Sequence, residues 1–521
     1  MAAIEGVLDT TGKTLWELVE ERADATPDKR MALDEKGRVL TFGEYRDWSR
    51  RVAAGLAAKG VGEGTNVSWI LPSRLESFVL VGALSYLGAV QNPILPIYRH
   101  REVSFIARQS GCALLIVPGV FRGFDYGAMA HEIAAEQPIE VLVADPDLPE
   151  GDPETLAPPA PGPADRTDDH AWPMRWLFYS SGTTADPKGA KHSDRSISAA
   201  NDGMQWSMEV GPDDKAAVVF PITHVGGLVW LFNTLQTGVE LLMVEVFDPE
   251  RTPAFLGANG VTCAGAGTAF FLVYLNAQRK LPAGERLFPE VRMFNGGGAP
   301  KPKTMHHQML AELGAPIIGG WGLTEAPILT MMHLSDPDVK KAETDGRPCP
   351  GVLLKAITVE GHEAAPGEEG ELRAKGPQVC MGYLDSSLDA DGFDADGWFR
   401  TGDLGVIDAD GWVSITGRLK DIIIRKGENI SAKEIEDLLF AHPAVADVAV
   451  VGLPDDDRGE LACAIVVPKP GATIAFAEMQ QYLRDSSLSA HKIPERLELV
   501  DALPRNPSGK VLKKDLRKEY S

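Results

Sequence analysis

Eleven residues from Tyr179 to Gly189, reading Tyr-Ser-Ser-Gly-Thr-Thr-Ala-Asp-Pro-Lys-Gly, bring four small hydroxyl side chains, two glycines and a lysine together. Hydroxyls and backbone N–H groups in a tight loop are donors for an anion. Glycine lets the backbone come close and take positive φ, and the lysine adds a point charge. This is the chemistry of a polyphosphate cradle. It is not a Walker loop, which needs G-x-x-x-x-G-K-[ST]. Taken alone, the stretch reads equally well as a Ser/Gly-rich surface turn. Three more glycine-bearing turns lie beside apolar runs, at Pro221 to Leu228 with His224, at Asn295 to Pro300, and at Gly319 to Glu325. Strand ends of this kind carry ligands in α/β folds. Each is weak by itself, since a lone histidine is more often structural than catalytic and three glycines are only a loop. Further on, Asp403 sits in a tight turn after Thr401-Gly402, and Gly417-Arg418-Leu419-Lys420-Asp421 closes an apolar alternating segment.

These residues need elements to hold them. Met174 to Phe178 has the content of a short buried strand leading into the first loop. Before it, Thr41-Phe42-Gly43-Glu44 fits a capping box, with Tyr45, Trp48, Val52 and Leu56 at helical spacing behind it. Strand patterns at 67–71, 89–95 and 113–117 and a helix pattern from Ser73 to Tyr86 alternate in a way that predicts a layered, largely parallel α/β sheet. Between Asp145 and Asp165 seven prolines fall among small and acidic residues, the composition of an exposed and partly disordered loop or linker. After Lys420 a new unit begins: Ser431-Ala432-Lys433-Glu434 matches a second capping box, and strand and helix patterns alternate to the end. The expected fold is therefore α/β, with a large layered α/β N-terminal domain at 1–419 and a small α+β C-terminal domain at 420–521.

Bulk properties narrow the function. Among 521 residues, 51 Lys and Arg face 74 Asp and Glu, for a net charge of −23. That balance argues against a nucleic-acid or anionic-membrane binder, while a local basic pocket can still hold phosphates. No apolar run reaches spanning length and the first residues lack the pattern of a signal peptide, so the cytoplasm is the expected compartment. The five cysteines have no C-x-x-C spacing and read as free thiols.

In order, the stretches at 179–189, GWGLTE at 320–325, TGD at 401–403, GRLKD at 417–421 and Pro504 to Lys510 make the chain resemble, almost end to end, the acyl-adenylate-forming (AMP-binding) superfamily. Its members include acyl-CoA synthetases, peptide-synthetase adenylation domains and beetle luciferases. The resemblance implies two half-reactions. A carboxylate attacks the α-phosphorus of Mg·ATP to give acyl-AMP and pyrophosphate; a thiol, usually that of CoA, then takes the acyl group and releases AMP. Two anions must meet in the first step, so cations and aligned N–H dipoles are needed where charge builds up. Carried over by position, Ser180, Ser181, Gly182, Thr183, Thr184 and Lys188 would wrap the β- and γ-phosphates. Gly297, Gly298, Ala299 and Pro300 would line the adenine, with Trp321 and Gly322 beside it. Thr324 would bond the α-phosphate and Glu325 would bind Mg²⁺. Asp403 would accept the ribose hydroxyls, backed by Arg418. Lys510 would be the adenylation lysine, and Lys420 the hinge of a mobile small domain. Lys426, Gly427 and Glu428 would face CoA after the small domain turns. Ala185 stands where the family usually has glycine, and Trp321 where it usually has tyrosine.

The resemblance also places an acyl pocket among His224, Gly226, Gly227, Ala266, Gly267, Asn295, Gly296, Gly320, Ala326, Pro327 and Ile328, and gives His224 a part in catalysis. No aspartate in the 221–228 stretch is available to pair a substrate ammonium, so an amino acid is disfavoured. The expected acid is uncharged and medium-sized: medium-chain fatty, alicyclic, aromatic or steroid side-chain. The glycines imply width rather than length. CoA is the expected acceptor. The alternatives are a ligase that loads a carrier protein and a non-catalytic nucleotide-binding relative. A homodimer is compatible with the sequence, which does not fix oligomeric state.

Overall fold

The computed structural model describes residues 4–180, 186–297, 301–425, 428–455, 458–486, 488–506 and 509–521, with the backbone only at 428 and 429. Its centre is a nine-stranded sheet in the order Arg347–Pro348, Thr330–Met331, Ile317–Trp321, Met293–Gly296, Cys263–Ala264, Lys215–Val218, Glu240–Met243, Arg30–Asp34, Val39–Thr41. The inner strands are parallel and the edges antiparallel. A second sheet of six strands runs Lys188–His192, Trp176–Ser180, Val90–Pro93, Asn66–Trp69, Leu114–Val117, Glu140–Val143.

Burial along these strands explains the layering. Ala216 and Val218 join one apolar cluster and Ala217 and Val219 another, because successive side chains leave a strand on opposite faces. The first cluster fills the space between the two sheets with the helices Leu15–Ala25, Phe42–Ala57, Leu75–Leu87, Asp194–Met208 and Val225–Thr237. Outer helices cover the far face of each sheet. A helix sealed between sheets must be largely apolar, and Leu75–Leu87 is, with its one charge, Glu76, paired to Arg38; it stops at Gly88, which takes φ 68°.

A four-stranded antiparallel sheet spans Leu353–Ile357, Glu369–Lys375, Phe399–Ile407 and Val413–Arg418. Beyond it the small domain pairs Ile422–Arg425, Glu428–Ser431, Val445–Asp455, Gly459–Pro468 and Arg496–Leu499. The strand Val445–Asp455 is apolar on both faces, sending Val448 and Val450 to one cluster and Ala449 and Val451 to the other.

The proline-rich stretch is a loop, as its composition predicts, and it connects Glu140–Val143 to Trp176–Ser180, two strands of one sheet. It is strapped down on the way, with the Gly151 N–H donating to the Arg51 carbonyl and the Tyr86 hydroxyl to the Ala157 carbonyl. The second capping box is half a box. Ser431 caps the helix Ala432–Phe440 through the Glu434 N–H, whereas the Glu434 carboxylate pairs with Lys492 at 2.7 Å. The box at Thr41 is complete.

Candidate active site

Ser180 and Lys188 stand opposite each other on two antiparallel strands. Residues 181–185, and with them Ser181, Gly182, Thr183, Thr184 and Ala185, lie outside the described residues, as do Gly298, Ala299, Pro300, Lys426 and Gly427. The flanks are informative. The Ser180 hydroxyl donates to Glu325 Oε1 at 3.0 Å, and the Tyr383 hydroxyl donates to the same oxygen at 3.2 Å. The Lys188 ammonium lies 5.5 Å from the centre of the Tyr383 ring. Tyr383 thus joins Lys188 to the carboxylate of the 320–325 turn. Its hydroxyl is pushed well above its ordinary pKa by burial and by the Glu325 charge, so it stays a donor.

Behind that carboxylate sits His192, fully buried on the strand Lys188–His192. A carbonyl can only accept, so the His192 Nε2–H donates to the Thr324 carbonyl at 2.9 Å, leaving Nδ1 for the Ser196 hydroxyl at 3.0 Å. Burial pushes the imidazole down to about 4 and keeps it neutral. The turn itself is tight: a Cβ on Gly322 would lie 2.4 Å from the Ile328 nitrogen, so residue 322 must be glycine.

The third group is Asp403, 3 % exposed. It faces Arg418 across two antiparallel strands, and the Arg418 Nε–H donates to Oδ1 at 2.5 Å. Trp321 donates its indole N–H to Oδ2 at 2.7 Å. Lys510 belongs to the small domain, in a loop closed by its N–H donating to Asn506 Oδ1 at 2.8 Å. The loop tip rests on the large domain, where a Cβ on Gly509 would lie 3.3 Å from that of Ala269. There, desolvation and the Arg418 guanidinium push the Lys510 ammonium down to about 8, against the opposing pull of Asp403 and Asp421. Lys420, in the turn Leu419–Asp421, is lowered by partial burial and by the charges of Lys188 and Arg418.

His224 caps the helix Val225–Thr237, its Nδ1 accepting from the Gly226 N–H at 3.1 Å, and burial pushes the ring down to about 4. Its visible work is structural. Three of the pocket glycines have a reason other than width. A Cβ on Gly227 would lie 2.6 Å from Ile222 Cα, one on Gly296 2.6 Å from the Gly267 nitrogen, and one on Gly320 2.4 Å from the Thr330 oxygen. They are glycine because backbones touch there. A free volume of about 20 Å³ is lined by Gly267, Gly296, Gly297, Gly319 and Gly320 together with Lys301 and Asp345. Asn295 is buried with no partner for its amide oxygen among the described residues, and Ala326 and Pro327 are buried beside the Glu325 turn.

Among the described residues no group of three His, Cys, Asp or Glu side chains could cage a metal. A Mg²⁺ that arrives on ATP needs only one or two protein carboxylates, and Glu325, oriented by two hydroxyl donors, fits that. Also among the described residues, no helix is long and apolar enough to cross a membrane.

Comparison with known proteins agrees with this geometry. The family model "AMP-binding enzyme" matches residues 19–384, and "AMP-binding enzyme C-terminal domain" matches 434–510. The long-chain-fatty-acid–CoA ligase FadD13 of Mycobacterium tuberculosis is 31% identical over 98% of this chain and 99% of its own. The fatty acid–[acyl-carrier-protein] ligase ScoC of Streptomyces coeruleorubidus is 31% identical over 98% and 96%. Among solved structures, ATP-bound MatB from Rhodopseudomonas palustris superposes with a TM-score of 0.86 at 29% identity, over 98% of this chain and 99% of that one. The ligand-free form of MatB gives 0.75. With matches over both domains, the chain belongs to the AMP-binding enzyme family, on its acyl-CoA synthetase branch, and is an adenylate-forming carboxylate ligase.

Proposed function

We propose that this chain is an ATP-dependent carboxylate–CoA ligase acting on an uncharged, medium-sized organic acid. The observation that carries the reading is the neighbourhood of Arg418, which bonds Asp403, as Trp321 does, and interacts electrostatically with Glu325 and with Lys510 of the small domain.

In this reading Ser180 and Lys188 hold the terminal phosphates with the loop between them, and Lys188 neutralises charge as pyrophosphate forms. Asp403 accepts the ribose hydroxyls, and Gly297 lies beside the base. Thr324 bonds the α-phosphate. The Lys510 ammonium reaches both the attacking carboxylate oxygen and the α-phosphate oxygens, lowering the repulsion between two anions as the new P–O bond forms. Bound Mg²⁺, held through Glu325, would supply Lewis-acid charge on the phosphates. His192 and Tyr383 fix Thr324 and Glu325 in place, so the dipoles are set before substrate arrives. The large domain ends at 419, and the small domain turns about Lys420 to bring Glu428 and its neighbours to the acceptor thiol.

CoA as acceptor is supported by FadD13, whose name carries that acceptor. ScoC keeps the second reading alive, a ligase that loads a carrier protein. Product analysis by mass spectrometry decides between them, with ATP, Mg²⁺, CoA and a panel of fatty, alicyclic, aromatic and steroid side-chain acids. Acyl-CoA from one class of acid is the expected result. Acyl-AMP that accumulates without thioester would move the assignment to a carrier-protein ligase.

A further inference from the structure

Trp321 does more in this fold than offer a ring. Its indole is 8 % exposed, and its backbone is pinned by the Leu329 N–H donating to its carbonyl at 2.8 Å and by pairing with Thr330. From that fixed position the N–H reaches Asp403 Oδ2, while Arg418 takes Oδ1. An ionised carboxylate has about four lone-pair sites, two on each oxygen. One donor on each oxygen leaves one site on each, side by side. That is the pattern a vicinal diol requires.

We propose that Trp321 is a specificity-determining residue for the sugar of the nucleotide: its indole N–H holds Asp403 in the orientation that accepts both ribose hydroxyls. This rests on reading Asp403 as the ribose acceptor. Asp403 needs such a partner because little water reaches it, and the Asp403 N–H donating to Thr401 Oγ1 at 3.1 Å fixes the backbone rather than the carboxylate. Without the indole donor, the carboxylate keeps Arg418 and Lys510 as charged neighbours and turns toward them. The pairing with a diol is then lost.

The test is nucleotide selectivity, measured as acid-dependent pyrophosphate release with ATP, 2′-deoxy-ATP and 3′-deoxy-ATP. Trp321→Phe keeps an aromatic face and removes the donor. A hydrogen bond to a charged group is lost, so KM for ATP should rise roughly tenfold. The preference for ATP over both deoxy analogues, as a ratio of kcat/KM, should shrink by a similar factor. A structural or purely stacking role would raise KM for all three nucleotides alike, and an unchanged ratio would overturn the proposal. Should Phe loosen the core, site-specific 3-benzothienylalanine at 321 replaces the N–H by sulfur at nearly constant shape, and the same collapse of the ratio is expected. Asp403→Asn separates the two levels of the argument. If it leaves the ratio untouched, the ribose reading fails and takes this one with it; if it alone collapses the ratio, only the role of Trp321 fails.

Discussion

Lys510 carries the first step in the proposed mechanism, and its surroundings give that role a pH signature. Its ammonium is pushed down to about 8, so it is charged below that pH and loses its charge above it. The kcat/KM for acyl-AMP formation, which reports the free enzyme, should decline above about pH 8. Lys510→Arg, which stays charged, should lack that limb whatever its residual rate. Lys510→Ala should cut acyl-AMP formation on the order of a hundredfold or more, while thioester formation from supplied acyl-AMP persists. Equal loss of both half-reactions would remove Lys510 from its role. Tyr383→Phe deletes only one of the two hydroxyl donors on Glu325. Because a partner of the proposed Mg²⁺ ligand is lost, the Mg²⁺ concentration for half-maximal activity should rise roughly tenfold, with the thermal unfolding curve unchanged. A Mg²⁺ titration that does not move would leave Tyr383 as packing. The residues legible in the sequence were those inside compact motifs, Glu325, Asp403, Arg418 and Lys510. Tyr383 and His192 stand outside those motifs, and their partners are 58 and 132 positions away. A side chain whose meaning lies in a distant contact has no local signal.

Elements were legible where the signal is local and chemical. Thr41 with Glu44 named a helix start. The Ser431 box was half right because the far partner Lys492 outcompetes the local N–H for Glu434. Composition gave the proline-rich stretch its loop character but held nothing of its course across one sheet. The pocket glycines were the hardest, since glycine serves open space and touching backbones equally well. The structure separates the two uses. Gly227→Ala sets a Cβ against rigid backbone, Ile222 Cα at 2.6 Å and its oxygen at 2.7 Å. Overpacking of this kind costs about 1–3 kcal/mol, visible as a lower unfolding temperature in calorimetry. Gly319→Ala meets only the Gly296 oxygen at 3.6 Å, an ordinary contact. It should melt like the parent, and any change in its nucleotide or acid preference would come from the site and not from the fold. If the two variants melt alike, close backbone approach is not what requires glycine at 227.

At the scale of the whole molecule, the small domain sits in one of two expected positions. Its Lys510 loop touches the large domain at Ala269, Phe440 packs against a large-domain cluster, and the Ser431 hydroxyl donates to the Thr416 carbonyl at 2.8 Å. A polar cleft of about 460 Å³ separates the domains elsewhere, with Lys301 and Asp345 facing Lys433 and Asp437. The direct contacts mix apolar packing with a hydrogen bond, and interfaces between domains of one chain can be broken and remade. The chain between the domains narrows to the turn Leu419–Asp421, whose end is tied to the final helix by Arg517 and Asp421 at 2.7 Å. Rotation about that turn must change backbone dihedrals at Lys420. Proline is tolerated in the first turn of a helix and holds φ near −65°, so Lys420→Pro should preserve the present arrangement while denying the swing. Acyl-AMP formation should stay within a few-fold of the parent in a single turnover, and CoA thioester formation should fall more than tenfold. Equal turnover in both half-reactions would mean that the second step needs no rotation at Lys420, and that the acceptor thiol reaches acyl-AMP with the small domain where it now stands.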